Sequence, residues 1–264
     1  MRIPANENAP PAPVELFDLR QFAFLIDVDG TLLDIAETPQ SVQVPPALRH
    51  DLDRLAVLSD GAIALVSGRS LDDLDTLFGP LKLTMVGGHG AEIRFWCDGH
   101  AEHQSAPPID PSLRARLSTV ESIDSRLLVE DKGYSIALHY RRAPERKAAV
   151  LKAVAALDDG IAAQGLRVLH GKAVVEIKRA GIDKGTGIRA LMAHEPFARR
   201  RPIYIGDDIT DEDAFAVLPE FDGIAISVGR DVMGVTRRFD NPAAVRRWIA
   251  DLISSHDRSA ASDR

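Results

Sequence analysis

Two aspartates one residue apart, in Asp27-Val28-Asp29-Gly30-Thr31, close an unbroken apolar run and open onto a glycine. At that spacing two carboxylates can divide a phosphoryl transfer between them. The first attacks phosphorus, while the second protonates the leaving oxygen and afterwards activates water. Gly30-Thr31 lets the chain turn sharply, with backbone N–H groups turned toward a phosphate. Ser67-Gly68-Arg69 adds a hydroxyl and amides ahead of a helix, which is a ready anion site, although the tripeptide alone is equally a plain turn. Lys184, in Asp183-Lys184-Gly185-Thr186-Gly187, is a cation that can neutralise both phosphate and nucleophile. A purely superficial lysine at a helix start would be disfavoured by the positive end of the helix dipole.

The fourth segment is Gly206-Asp207-Asp208-Ile209-Thr210-Asp211-Glu212-Asp213. Its five carboxylates, at 207, 208, 211, 212 and 213, repel one another unless a cation or hydrogen bonds compensate. Mg²⁺ takes oxygen ligands in near-octahedral geometry, keeps waters, and uses one or two carboxylates plus phosphate oxygens. Asp27 and Asp207 are the two expected here, with the carbonyl of Asp29 as a third protein ligand. Asp208 and Asp211 are expected to orient waters or Lys184. Asp211 to Asp213 also suits a helix N-terminus whatever else it does.

The elements that must position these residues follow from the apolar pattern. Phe22 to Ile26 ends at Asp27, Ala62 to Val66 ends at Ser67, and Ile203 to Ile205 ends at Gly206-Asp207. Pro46 to Ser59 has the spacing of an amphipathic helix, an acidic helix starts near Leu71, and Gly223 to Val228 follows a helix that begins near Asp211. Short continuous apolar strands of this kind suit a parallel sheet covered on both faces. Each group of chemical interest then sits at a strand's carboxyl end or at a helix start, where open α/β sheets bind ligands. The middle reads differently. Arg126 to Glu130 with Ser135 to Tyr140, and Arg167 to His170 with Ala173 to Lys178, read as antiparallel hairpins turning at Asp131-Lys132-Gly133 and Gly171-Lys172. Helices are expected over Pro111 to Thr119 and Pro144 to Ala163. The expected plan is an α/β core with a Rossmann-like parallel sheet (residues 21–99 and 180–254), interrupted by an inserted α/β domain (100–179). A disordered leader (1–20) and a polar tail (255–264) flank it.

The chain has 264 residues, a formal charge of -7 and 45% hydrophobic residues. With no separate basic run, a nucleic-acid surface is not expected. No segment reaches the ~20 apolar residues of a membrane span, and Pro and Asn interrupt the N-terminus where a signal peptide needs a continuous apolar stretch. A single cysteine, Cys97, cannot form an internal disulfide and is read as a buried or incidental thiol. The expected location is the cytoplasm.

These residues resemble those of the haloacid dehalogenase-like phosphatases with a large α/β cap, and within them the trehalose-6-phosphate phosphatase family. Beyond the four segments above, the resemblance rests on Gly88-His89-Gly90-Ala91-Glu92, on Glu130 to Arg141, and on Gly171-Lys172-Ala173-Val174-Val175-Glu176-Ile177. It implies hydrolysis of trehalose 6-phosphate through an aspartyl-phosphate, Mg²⁺ as cofactor, and a functional link to a trehalose-6-phosphate synthase. It also implies Asp27, Asp29 and Lys184 as catalytic residues and Gly30, Thr31, Ser67, Gly68 and Arg69 as phosphate-binding residues. The matching positions Glu130, Lys132 and Glu176 hold sugar hydroxyls, which suits carboxylates that accept in pairs; read alone, Glu130 and Glu176 are equally structural partners of Lys132 and Lys172. One departure is visible: Arg179 stands where the family usually has proline. The same chemistry on sucrose 6-phosphate, a phosphomutase, and a non-catalytic sugar-phosphate sensor are the alternatives. The sensor lacks its sequence mark, since nucleophile and metal ligands are all in place.

Overall fold

The computed structural model describes residues 18–36, 42–97, 100–171, 173–235 and 237–262. The early chain lays down β1 (Phe22–Ile26), α1 (Pro46–Leu58), β2 (Ile63–Val66), α2 (Leu71–Phe78), β3 (Thr84–Gly87), β4 (Glu92–Cys97) and β5 (His100–Ser105). A second run follows: α3 (Pro111–Ser118), β6 (Leu128–Asp131), β7 (Ser135–His139), α4 (Lys147–Ala155), α5 (Asp158–Ala163), β8 (Leu166–Gly171) and β9 (Val174–Arg179). Then come α6 (Lys184–Met192), β10 (Arg201–Gly206), α7 (Glu212–Val217), β11 (Ile224–Val228), β12 (Arg237–Phe239) and α8 (Pro242–Ser262). Contacts divide the chain into two compact units, one running to Gln104 and resuming at Asp183, the other spanning Ser105–Ile182.

The larger unit holds one sheet in the order β12-β11-β10-β1-β2-β3-β4-β5. All pairs from β12 to β3 are parallel, and β4 turns antiparallel on β3. The chain moves outward from β1 through β2 and β3, then returns on the other side of β1 with β10. Strand order therefore reverses beside β1, and such a reversal opens a crevice at the strands' carboxyl ends. Alternate residues of β1 serve opposite faces. Phe24 and Ile26 pack with Leu52 and Leu55 of α1, Phe78 of α2 and Trp248 of α8. Ala23 and Leu25 pack with Ile188 and Leu191 of α6 and Phe215 of α7.

The smaller unit is a four-stranded antiparallel sheet, β6-β7-β9-β8. One face, with Ile136, Leu138, Val175 and Ile177, is buried against Leu113 of α3, Val150 of α4 and Ile161 of α5. On the opposite face the register sets Glu130, Ala137 and Glu176 side by side. Arg179, at the end of β9, donates to the carbonyls of Pro107, Pro108 and Gln164 at 2.8, 3.0 and 3.0 Å. Arg179 thus ties the end of β9 to the 107–108 and 164 segments of this unit.

Several elements differ from the sequence expectation. The helix expected over Pro144 to Ala163 is a 3-10 turn (Pro144–Arg146) followed by α4 and α5. Asp158 and Asp159 stand in the first turn of α5, where the positive helix end favours them. In one continuous helix they would lie in its last third, beside the poor helix former Gly160. β5, in a segment assigned by sequence to the insertion, is bonded into the large sheet, and the described units change at Ser105 and Asp183 rather than at 100 and 180. From 255 to 262 the expected tail is the end of α8. The leader as far as residue 17, Lys172, and the Cys97 side chain lie outside what is described.

Leu52 of α1 is fully buried in the core beneath β1. Leu52→Ala should lower unfolding free energy by about 2–5 kcal/mol in urea with an unchanged m-value; a loss under about 1 kcal/mol would mean that this core closes over the cavity.

Candidate active site

Asp27 continues directly from β1, with its N–H on the Ile205 carbonyl of β10 at 2.9 Å, and its side chain is buried. Lys184 is the first residue of α6. Asp183 caps that helix, accepting the Thr186 N–H at 2.8 Å, and its own N–H donates to the Thr186 hydroxyl at 3.0 Å. The capping box fixes where α6 starts and so where the lysine projects. Its Nζ donates to Asp27 Oδ1 and to Asp211 Oδ1, each at 2.6 Å, and all three side chains are buried. Burial by itself would push the Lys184 ammonium down, but Asp27 and Asp211 more than reverse this and its pKa is raised. Burial is also the main influence on Asp27, pushing its carboxyl up to about 8 against the pull of Lys184, with Asp211 and Asp207 adding to the rise.

Asp207 follows β10 and accepts from the Thr31 hydroxyl at 3.2 Å. Its pKa is raised, chiefly by burial. Gly30 adopts φ +82°, and a Cβ there would run into the Asp207 carboxylate, so the turn after β1 admits glycine for both reasons. Oxygens of Asp27, Asp207 and Asp211 all lie within 4.8 Å of one another. Asp211 already accepts three hydrogen bonds: Lys184 and the Tyr204 hydroxyl (2.6 Å) on Oδ1, and the Asp208 N–H (2.8 Å) on Oδ2. Asp27 and Asp207 are the two that could hold a cation. The donor set is hard oxygen with no nitrogen or sulfur, which suits Mg²⁺ and excludes the usual sites for soft metals. Asp208 caps the next turn, its Oδ1 accepting the Ile209 N–H at 2.7 Å.

Ser67 follows β2, is buried, and its Oγ accepts the Arg69 N–H at 3.2 Å. The His89 ring lies directly against Gly68. Arg69, expected on the phosphate, grips both oxygens of Asp29 instead: Nε to Oδ2 at 2.6 Å and Nη2 to Oδ1 at 2.7 Å. That bidentate pair raises the Arg69 pKa. In the smaller unit Glu130 is the centre of a polar group, 3.4 Å from Lys132 Nζ and 3.1 Å from His139 Nε2.

Two residues at the site escaped the sequence reading. Tyr204 was counted only as part of an apolar strand; its hydroxyl is fully buried on Asp211, and burial together with Asp211 raises its pKa well above the ordinary value. A tyrosine in a strand covered on both faces is a usable signal, since a buried hydroxyl requires a partner. Arg230 donates to the carbonyls of Asp207 and Asp208 from beyond β11. No local pattern announces it.

A doubly wound sheet interrupted by a second α/β unit, with an aspartate pair after its first strand, defines the haloacid dehalogenase-like class with a cap domain. Residues 25–242 match the trehalose-phosphatase family model. The chain is 42% identical over 218 residues to a probable trehalose-phosphate phosphatase of Sinorhizobium fredii, covering 81% of this chain and 80% of that one. It is 34% identical over 245 residues to the trehalose-6-phosphate phosphatase of Escherichia coli, covering 92% and 91%. The C-terminal domain of the C. albicans trehalose-6-phosphate phosphatase shares the fold, with a TM-score of 0.69 at 21% identity over 94% of this chain and 98% of that one. The chain belongs to the trehalose-phosphatase family of phosphoric monoester hydrolases. Among the described residues no helix is long and apolar enough to cross a membrane.

The raised Asp27 pKa has a thermodynamic consequence. Between an ordinary 3.8 and about 8 the folded protein keeps a proton that the unfolded chain releases. That contribution to stability is complete below the lower value and is lost as pH rises through the upper one. Melting in chelator should therefore show stability falling over this window, and Asp27→Asn should flatten the slope. A slope unchanged by Asp27→Asn would assign the proton to another group.

Proposed function

We propose that this chain is a Mg²⁺-dependent phosphatase that hydrolyses trehalose 6-phosphate to trehalose and inorganic phosphate through an aspartyl-phosphate on Asp27. The observation that carries the reading is the buried Lys184 ammonium on the Asp27 carboxylate, with Asp207 beside it, at the end of β1. A nucleophile, a fixed cation and a pair of hard-oxygen ligands are the parts that phosphoryl transfer to a carboxylate requires.

An Asp27 oxygen attacks phosphorus, forming a P–O bond as the bond to the sugar oxygen breaks. Asp29, protonated, gives its proton to that departing oxygen. Water then attacks the aspartyl-phosphate, Asp29 takes up the water's proton, and the P–O bond to Asp27 breaks to release phosphate. Lys184 offsets charge on the phosphoryl oxygens and on the nucleophile. Ser67 and the backbone N–H groups of Thr31 and Gly68 receive the phosphate; the Gly30 N–H, expected there too, is held by the Leu33 carbonyl at 2.7 Å, so Gly30 serves the turn rather than the phosphate. Arg69 holds Asp29 in the structure, so its role as a phosphate ligand requires the incoming phosphate to draw it from that carboxylate. Mg²⁺, held by Asp27, Asp207 and the Asp29 carbonyl, would supply charge neutralisation and alignment of the phosphate. Asp211 keeps Lys184 in place.

The sugar specificity is assigned to Glu130, Lys132 and Glu176. Two of them share the polar face of the smaller sheet, and the family relationship supports the assignment. A trehalose-6-phosphate synthase would be the source of the substrate, the functional link expected from the sequence.

Phosphate release from trehalose 6-phosphate, sucrose 6-phosphate and glucose 6-phosphate, each with Mg²⁺ and with excess chelator, tests the whole reading. Strong, chelator-sensitive release from the first alone is expected. Metal-dependent release from another sugar would keep the mechanism and discard the substrate, and formation of an isomer without phosphate release would indicate a mutase. Asp27→Asn should abolish turnover while the fold is kept. Glu130→Ala should lower kcat/KM on the disaccharide phosphate by about 10–100-fold, as expected for a charged hydrogen-bonding group, and leave a small aryl phosphate nearly unaffected. Equal losses on both would remove Glu130 from sugar recognition.

A further inference from the structure

Asp207 stands on a loop whose own bonds, the Ile209 N–H to Asp208 and the Asp208 N–H to Asp211, lie beyond Asp207 itself. The loop carries Asp207, Asp208 and Asp211 after the end of β10, and two of these carboxylates lie within 4.8 Å of each other and of Asp27. Like charges so close push a loop apart. On its inner side the loop is fastened by Asp211, which accepts the Asp208 N–H and the Lys184 ammonium. That fastening is made of reacting and charge-compensating groups, so it is not independent of the chemistry.

The outer side is fastened by one residue. β11 ends at Val228, paired with Phe239 of β12. The Gly229 N–H bonds to the Phe239 carbonyl at 2.9 Å, and the chain then turns through φ +70° at Gly229. The turn returns Arg230 over the end of β10. Its Nε donates to the Asp207 carbonyl at 2.7 Å, and its Nη2 to the Asp208 carbonyl at 2.8 Å and to Glu212 Oε1 at 2.8 Å. A single guanidinium therefore joins both backbone carbonyls of the Asp207-Asp208 pair to the first residue of α7. It adds a positive charge beside the Asp207 and Asp208 carbonyls and the Glu212 carboxylate.

We propose that Arg230 is a positioning residue for cation binding: it presets the Asp207 backbone, and with it the direction of the carboxylate, before a cation arrives. The inference rests on the Mg²⁺ reading above and adds a residue to it. Arg230 reaches none of Asp27, Asp29 and Lys184 through its hydrogen bonds, so its effect is on the affinity of the site and not on the bond-making steps. Arginine is needed because three acceptors must be met by one planar fork, which an ammonium cannot reproduce. Groups that hold a ligand residue in place typically change metal affinity by about 10–100-fold when removed.

The test is calorimetric titration of Mg²⁺ into the metal-stripped full chain, with the rise in melting temperature on Mg²⁺ addition as a second readout. Arg230→Ala should weaken the Mg²⁺ Kd by about 10-fold or more and shrink the Mg²⁺-induced rise in melting temperature, whatever the three lost contacts take from the metal-free melting temperature. kcat at saturating Mg²⁺ should be retained, and the defect should appear in the Mg²⁺ concentration required. Arg230→Lys should recover only part of the affinity, and Glu212→Gln, which loosens one of the three contacts, should fall between wild type and Arg230→Ala. An unchanged Kd in folded Arg230→Ala overturns the assignment. If that variant does not fold, unchanged Kd values in both Arg230→Lys and Glu212→Gln overturn it. A wild-type chain that takes up no Mg²⁺ overturns the metal reading itself, and this assignment with it.

Discussion

The larger unit is organised around one buried ammonium. Lys184 sits between Asp27 and Asp211 at 2.6 Å from each, and without it the carboxylates after β1 and β10 would face one another across a space with little water. Breaking a buried ion pair by removing one partner typically costs about 3–5 kcal/mol, because the remaining charge is left uncompensated. Here two carboxylates would be left, with Asp207 close by. Lys184 thus does two things with one charge: it makes the burial of Asp27 tolerable, and in the proposed reaction it sets the charge against which a phosphate would be received. Burial raises the Asp27 pKa despite this partner.

The fold makes that ammonium reachable from far apart in the chain. β1 is flanked by β2 and β10, so the residues that follow these three strands emerge side by side. α6 begins beneath them, with a capping box that fixes its first residue. The parallel arrangement is the reason Asp27, Ser67 and Asp207, to which the proposed reaction gives the roles of nucleophile, phosphate ligand and cation ligand, can converge although they lie far apart in sequence. Antiparallel neighbours would have placed their ends on opposite sides of the sheet. In the smaller unit one face of the sheet packs on the helices, and the other carries polar groups, among them Glu130 paired with Lys132 and His139.

Much of this was legible beforehand, for stated physical reasons. Apolar runs ending in Asp27, Ser67 and Gly206-Asp207 mark strands covered on both faces, and β1, β2 and β10 are found there. The two hairpins of the smaller unit were visible as alternating runs around short turns. Less legible were β3, β4 and β5. β5 is exposed along its whole length and has no apolar signature, so the sequence assigned it to the insertion. The split of one expected helix into α4 and α5 keeps the apolar stripe of Val150, Val154, Leu157 and Ile161 unchanged, so hydrophobic spacing could not reveal it.

The kinds of chemistry available were determined by sequence alone. Aspartates at spacing two, a lysine at a helix start, and an acidic segment after a strand narrow the possibilities to phosphoryl transfer with a hard cation, because residue type sets charge and donor class. Which group touches which was decided only by tertiary structure. Arg69 lies on Asp29, Asp211 is occupied by Lys184 and Tyr204, and Arg230 clasps a loop formed more than twenty residues earlier. Hydrogen bonds and ion pairs act over a few ångströms, and those distances between residues remote in sequence exist only once the sheet has set its strands side by side.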